Sequence, residues 1–171
     1  MHFADTGLGW IPISPNLRTL PSLDLYPDVA LLEGANVSVG RGTPHPFEWI
    51  GAPWIDGKDL AARLNNAHAD AHFEAVDFVP AESTFHGRLC HGVQVSLPEP
   101  DRVPGNLGLT IVATLHAMYP QRFDVAATRD AIGSAEIQAA IGRGQATDAV
   151  QAIVARDTDA FRQVRQRFLR Y

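Results

Sequence analysis

The segment EGANVSVGRGTPHPFEWIGAPW, residues 33–54, combines a flexible backbone with few charged side chains. It contains four glycines and three prolines, and its acidic and basic residues are two glutamates and one arginine. Glycine tolerates positive φ and lets a ligand approach the main chain closely. The apolar residues at both ends look like strand. The segment therefore predicts either a tight hairpin or a ligand-binding loop between short strands.

The centre of this segment has the composition of an anion site. Arg41 lies between Gly40 and Gly42, and Ser38 and Thr43 stand just outside. Successive backbone N–H groups can form an anion-binding concavity, and the guanidinium offers a planar set of donors suited to a carboxylate or phosphate. No Gly-Lys-Ser/Thr follows, so the loop is not a P-loop. A tight hairpin with a solvated arginine remains the alternative.

Two carboxylates, Glu33 and Glu48, bracket the loop. A pair of carboxylates flanking a ligand is typical of glycosidases, in which their separation sets the stereochemistry. The alternative is that each glutamate accepts hydrogen bonds from the backbone of the glycine-rich loop. Sequence spacing does not decide between these two roles.

Composition limits the class of protein. The chain has 171 residues, of which 46% are hydrophobic and 19% charged, as in an ordinary globular domain. A net charge of −5 argues against a nucleic-acid surface, because phosphate binding requires a concentrated basic face. No apolar run approaches the roughly 20 residues that cross a bilayer. We therefore predict one domain without a membrane span and without nucleic acid as a partner.

Upstream of the glycine-rich segment, the pattern is irregular. Residues 1–17 predict an extended lead-in or linker, and residues 18–171 a single domain. We expect a helical turn over residues 22–26 that ends at Pro27. The apolar run 29–32 predicts a buried strand, and Glu48 to Ile50 a second one.

The rest of the chain gives clearer patterns. Asp56 is the predicted N-cap of a helix that has apolar residues at helical spacing. A strand is predicted over residues 74–79. Alternation over residues 89–97 predicts a half-buried strand, and Pro120 ends a helix that begins near Gly108. The last third is helical, and the spacing of Ile132, Ile137 and Ile141 predicts one short helix there. The predicted fold class is α+β, with a small, mostly antiparallel sheet, helices packed on it and a helical C-terminal tail.

Histidine and cysteine spacing does not predict a metal site. His68 and His72 are four residues apart, which could place both on one helix face, but no third ligand has suitable spacing. We expect both to be surface histidines. His86 and His91 flank Cys90 without forming a zinc signature, and Cys90 should face away from His91 on its strand. We predict neither a metal nor a cofactor.

Aromatic and basic residues leave two questions open. Trp10, Trp49 and Trp54 lie around the glycine-rich segment, where tryptophan serves either core packing or contact with sugar rings. Residues 156–171 hold five arginines and two aspartates together with apolar residues on one side, which predicts an amphipathic helix. A basic outer face in solvent and a partner contact are both compatible with this pattern.

Three segments carry a resemblance to a known family: DTGLGWIPISPNLRTL (5–20), LLEGANVSVGRGTPHPFEWIGAPWID (31–56) and LCHGVQV (89–95). The chain resembles the C-terminal domain of the exo-β-N-acetylmuramidases, exo-lytic peptidoglycan hexosaminidases formerly described as a domain of unknown function. The resemblance implies a larger N-terminal Rossmann-like domain, present in cis or in trans, with the active site in the cleft between the two. It also implies release of N-acetylmuramic acid from non-reducing ends, and a location in the cell envelope or outside the cell.

The resemblance implies a division of labour. The family's proposed catalytic glutamate belongs to the N-terminal domain, so we predict no catalytic residue in this chain, which would be inactive alone. The chain would hold a muramyl sugar or peptidoglycan fragment. Predicted to contact substrate are Arg41, Asn36, Ser38 and Thr43, and predicted to support the loop are Glu33, Glu48, Gly40 and Gly42. A non-catalytic glycan-binding module and a purely structural domain are the alternatives.

The chain departs from the family pattern at two loop positions. The family usually has Ser-Glu-Gly-Arg-Gly-Thr, whereas Val39 stands here in place of the glutamate. Ala35 stands where the family prefers threonine. If the family glutamate contacts substrate, we expect altered specificity or weakened activity in this chain. If it only braces the loop, we expect little change.

Overall fold

A computed structural model describes residues 3–98, 105–145 and 147–170. The order of elements confirms the predicted α+β class. The helices are α1 (Leu20–Val29), α2 (Gly57–Ala67), α3 (Leu107–Met118), α4 (Arg129–Ile132), α5 (Ala135–Gly142) and α6 (Thr147–Arg165). The strands are β1 (Trp49–Ala52), β2 (His72–Phe78) and β3 (Cys90–Ser96). Short 3₁₀ helices occupy Phe3–Thr6, Ala30–Leu32, Val125–Thr128 and Gln166–Phe168.

The sheet is antiparallel, with β3 between β1 and β2. Val93 in the centre of β3 lies opposite Ile50 of β1 and Ala75 of β2. Val93, Ile50 and the neighbouring Phe73 are buried in the main hydrophobic core, which fixes the register because a one-residue slip would turn them to the other face. The predicted strands at 48–50, 74–79 and 89–97 are confirmed, with bounds that differ by one to two residues.

Helix α2 packs on the core face of the sheet. Asp56 caps it as predicted, accepting hydrogen bonds from the backbone N–H groups of Lys58 and Asp59 at 3.0 and 3.1 Å. Its first residue, Gly57, lies so close to β3 that a Cβ there would come within 2.5 Å of the Gly92 carbonyl oxygen. The helix therefore begins directly against the sheet.

Helix α1 corrects two predictions. Pro27 does not end the helix, which continues through it to Val29. Residues 29–32 are not a strand, because Val29 is the last residue of α1 and Ala30–Leu32 form a 3₁₀ helix. Leu25, Val29 and Leu32 are completely buried and follow helical spacing, so core packing stabilises the helix despite the hydrogen bond that proline removes.

The remaining helices form a second layer that ends in the predicted helical tail. Helix α3 is largely buried, and Tyr119 follows its last turn before Pro120, as predicted. Gly133, with φ of +67°, separates α4 from α5, so the single helix predicted around residues 132–141 is two. Val150 of α6 is buried, but Phe161, Val164 and Phe168 are more than half exposed. In the part of the chain described, no helix has both the length and the apolar character needed to span a bilayer.

Candidate functional site

The glycine-rich loop lies beside the edge strand β1. Ser38 and Gly51 exchange two backbone hydrogen bonds, of 2.8 and 3.0 Å, which attach the start of the loop to the sheet. Gly40 and Gly42 have φ of +76° and +73°, a region that L side chains rarely adopt. A Cβ on Gly42 would come within 2.5 Å of the Glu82 backbone nitrogen. The loop is thus a well-packed turn that requires glycine at both positions.

Two hydroxyl side chains predicted to contact substrate bond to the loop's own backbone. Ser38 Oγ accepts a hydrogen bond from the Gly40 N–H at 3.2 Å. Thr43 Oγ1 donates to the Gly40 carbonyl at 2.6 Å and accepts from the His45 N–H at 3.1 Å. Both residues are buried. These contacts brace the turn, and a role in substrate binding stays a prediction.

Arg41 forms an ion pair with Glu33. Its Nη2 and Nε lie 2.5 and 2.6 Å from Oε1 of Glu33, and the guanidinium sits over the ring of Phe47, 5.0 Å from the ring centroid. The Arg41 and Glu33 side chains are 29% and 31% exposed. The arginine is therefore neither free in solvent nor sealed in the core. It is fixed at the surface by Glu33 and Phe47.

The Asn36 side chain bonds to the backbone of a segment that is distant in the sequence. Its Nδ2 donates to the Arg122 carbonyl at 2.7 Å, and its Oδ1 accepts from the Asp124 N–H at 2.8 Å. The amide thus joins the glycine-rich segment to the chain after α3. Its predicted contact with substrate is not tested by these bonds.

Glu48 connects the loop to α1. Oε1 accepts hydrogen bonds from Ser22 Oγ at 2.9 Å and Thr19 Oγ1 at 3.1 Å, and Oε2 lies 3.2 Å from His45 Nδ1. The residue is 8% exposed. These partners are side chains and not the loop backbone N–H groups that were the expected alternative, and a loop-supporting role for Glu48 stays a prediction. Glu33 and Glu48 have different partners, and no contact between them is seen in the described part of the chain.

The residues at the two departures from the family pattern face the interior. Val39 and Ala35 are both buried and belong to the hydrophobic core. Val39 also accepts a backbone hydrogen bond from Phe47 at 2.8 Å. In this chain, position 39 therefore contributes to packing beneath the loop.

The three tryptophans have separate aromatic partners. Trp49 stacks on His45 with ring centroids 4.6 Å apart, and its Nε1 donates to Gln94 Oε1 at 3.2 Å. Trp54 packs edge-to-face on Tyr119, and Trp10 on Phe3. Trp49 and Trp54 also contact core residues, so part of their role is packing.

An open cavity of about 580 Å³ lies elsewhere, between the start of α2 and strands β2 and β3. It is lined by Ile55, Asp56, Gly57, Lys58, Ala75, Val76, Asp77 and His91. His91 Nδ1 is 2.7 Å from Asp77 Oδ1. In the sequence, His91 stands out only as a neighbour of Cys90, because its contact with Asp77 depends on the strand register.

Histidines 68 and 72 do not share a helix face. His68 is the C-cap of α2 and His72 begins β2. His68 is buried, with Nε2 3.3 Å from the Gly105 carbonyl oxygen, so the prediction of a surface histidine is wrong there. Among the described residues, no group of three or more His, Cys, Asp or Glu is placed to hold a metal ion.

Cys90 is not placed as a nucleophile. Its side chain is completely buried at the start of β3. Burial raises the pKa of the thiol to about 11, although the charge of Arg88 opposes the shift. The thiolate, which is the reactive form, is therefore disfavoured at neutral pH.

Comparison with known proteins gives consistent results. Residues 24–171 match the family described as exo-β-N-acetylmuramidase NamZ, C-terminal. The chain is 35% identical over 176 residues to the peptidoglycan β-N-acetylmuramidase NamZ of Bacillus subtilis (strain 168), covering 100% of this chain and 42% of that protein. The chain thus spans less than half of the length of this curated relative.

Two solved structures share the fold. Both are crystal structures of DUF1343 family proteins from Bacteroides fragilis NCTC 9343, each 26% identical to this chain. One matches with a TM-score of 0.83, over 100% of this chain and 47% of that chain. The other matches with a TM-score of 0.68, over 94% of this chain and 44% of that chain.

Proposed function

Because this chain belongs to the family of C-terminal domains of exo-β-N-acetylmuramidases, we propose that it is the substrate-cleft domain of a peptidoglycan-degrading glycosidase. The observation that carries the proposal is the match along the whole chain to a peptidoglycan β-N-acetylmuramidase, of which the chain covers 42%. A Rossmann-like N-terminal domain, in cis or in trans, completes the cleft and supplies the catalytic glutamate. The substrate is a muramyl sugar at a non-reducing end.

Arg41 is the group in this chain best suited to the acidic part of that sugar. N-acetylmuramic acid carries a lactyl carboxylate, which a guanidinium binds with charge-assisted hydrogen bonds. Glu33 and the ring of Phe47 hold the guanidinium in place, so little side-chain entropy is lost on binding. Each such bond contributes about 1.5–3 kcal/mol, enough to select the muramyl sugar over its lactyl-free relative.

The surrounding residues fix the position of Arg41. Glu48 ties the loop to α1, and Asn36 ties it to the chain after α3. Ser38 and Thr43 close the turn on which Arg41 stands. A rigid turn anchored at several points presents one side chain in a defined direction, which is the arrangement that specific recognition requires.

The division of labour is tested with a chromogenic muramyl glycoside. We expect no turnover by this chain alone, and turnover when it is joined to, or mixed with, a Rossmann-like N-terminal domain of the family. Turnover by the isolated chain would overturn the assignment of catalysis to the other domain. Binding of the glycan by a chain that never supports turnover would favour the non-catalytic glycan-binding module.

The role of Arg41 is tested in the two-domain protein. Arg41→Ala should weaken binding of the muramyl sugar about 10–100-fold, while binding of the lactyl-free sugar changes little. Arg63→Ala is the matched control, because Arg63 also pairs with a carboxylate, Asp59, but on the exposed surface of α2. Unchanged affinity for the muramyl sugar in Arg41→Ala would refute this role.

A further inference from the structure

The cavity beside α2 is separate from the glycine-rich loop. The loop is attached to the edge strand β1 through Ser38 and Gly51, whereas the cavity is formed by β2, β3 and the first turn of α2. None of the residues predicted to bind substrate lines the cavity. Its chemistry therefore needs its own explanation.

A histidine–aspartate pair lies in this cavity. Asp77 and His91 stand directly opposite each other on β2 and β3. With Asp77 Oδ1 2.7 Å from Nδ1, the neutral ring carries its proton on Nδ1, and Nε2 is left as a hydrogen-bond acceptor. The His91 side chain is 39% exposed, which makes the ring accessible to a ligand.

The cavity stays open because small residues surround the pair. Contact between Gly57 and Gly92 brings the start of α2 against β3, and the adjacent Ala75 of β2 is left exposed at the cavity wall. Ile55 and Val76 add apolar surface. A sugar ring has this dual character, with an apolar C–H face and hydroxyl groups at its edge.

The charges in the cavity select among sugars. Asp56 and Asp77 contribute two carboxylates, and Lys58 one ammonium group. A further carboxylate brought in by an acidic sugar would be repelled by Asp77, whereas hydroxyl groups can donate to Nε2 of His91 and to the aspartate oxygens. The cavity therefore suits an uncharged sugar.

We propose that this cavity is a second carbohydrate subsite, which binds a neutral sugar ring through a hydroxyl group that donates to His91 Nε2, with Asp77 positioning the imidazole. The choice of carbohydrate as the ligand class rests on the proposed function. The geometry of the histidine–aspartate pair does not.

The probe is N,N′-diacetylchitobiose, a neutral amino-sugar disaccharide, added to this chain and followed by NMR. The ring ¹⁵N signals of His91 should move on titration, because Nε2 accepts a new hydrogen bond. His91→Ala should weaken binding roughly ten-fold. Ala75→Leu should abolish binding by filling the cavity. Glu74→Leu, one residue away on the opposite face of β2, is its matched control and should bind as the unsubstituted chain does.

The subsite is overturned if the His91 signals do not move up to the solubility limit of the disaccharide. It is also overturned if Ala75→Leu binds the disaccharide as well as Glu74→Leu does. Binding of a muramyl sugar, measured in parallel, separates this result from the proposed function. Arg41-dependent muramyl binding without a chitobiose response would refute the subsite alone, whereas a response to neither sugar would count against both.

Discussion

The two glycines that flank Arg41 provide a quantitative test of the loop. Replacing Gly42 with alanine should destabilise the domain for two separable reasons. A positive φ of +73° costs an L residue about 1–2 kcal/mol, part of which is offset because alanine restricts the unfolded chain. The new Cβ would also lie 2.5 Å from the Glu82 backbone nitrogen and 2.8 Å from the Ala81 carbonyl carbon. Overpacking of this kind adds roughly 1–3 kcal/mol.

Gly87→Ala is the matched control, since it isolates the conformational cost. Gly87 has φ of +70°, but a Cβ there would meet nothing within 4 Å. In urea denaturation we expect Gly87→Ala to lower the free energy of unfolding by about 1 kcal/mol, and Gly42→Ala by about 2–4 kcal/mol. Both variants should keep the m-value of the unsubstituted chain. Equal losses for the two variants would show that Gly42 is required only for its φ, and that the packing of the loop against Ala81 and Glu82 does not matter.

Three further substitutions test the framework by chemical denaturation. Glu48→Ala should cost about 1–3 kcal/mol, because it removes an acceptor of the buried Ser22 hydroxyl. An unchanged free energy of unfolding would contradict the bracing role. Asp56→Ala should cost about 1 kcal/mol through loss of the α2 cap, and an unchanged midpoint would argue against that cap. Burial raises the pKa of Asp28 above its usual 3.8, and the Gly108 N–H and the charge of His68 oppose this shift. Ionisation of the buried carboxyl as the pH rises above 3.8 therefore lowers the free energy of unfolding. Asp28→Asn keeps an acceptor for the Gly108 N–H and should therefore be at least as stable as the unsubstituted chain at neutral pH. Any gain in stability should disappear below pH 3.8. Marked destabilisation at neutral pH would contradict this prediction.

The elements that sequence analysis located correctly are those specified by neighbouring residues. Asp56 caps α2 through N–H groups two and three residues away. The alternation along β3 follows from a strand that lies between two others. By contrast, a four-residue apolar run such as 29–32 is compatible with either helix or strand. Its packing with the rest of the core decided the outcome, and that packing is not visible in the local pattern.

The same distinction applies to the site. The tight turn at Gly40 and Gly42 was predictable because the residues of the turn are themselves glycines. The partners of Glu48 are not, since Ser22 lies 26 residues away and meets it only in the folded chain. Likewise, Asn36 is joined to the Arg122 carbonyl, 86 residues away. Polar residues near the loop can therefore be picked out from the sequence, but their partners are set by contacts between distant segments.

Cys90 is a natural probe for local separation of strands β2 and β3. It is the chain's one cysteine, its side chain is completely buried, and it pairs with Phe78 at the last position of the β2–β3 ladder. A thiol reagent can reach the sulfur only when this end of the ladder separates. The rate of labelling under native conditions therefore reports the free energy of that separation, without introducing any probe residue. Slower labelling in the presence of a bound sugar would show that the ligand holds the two strands together.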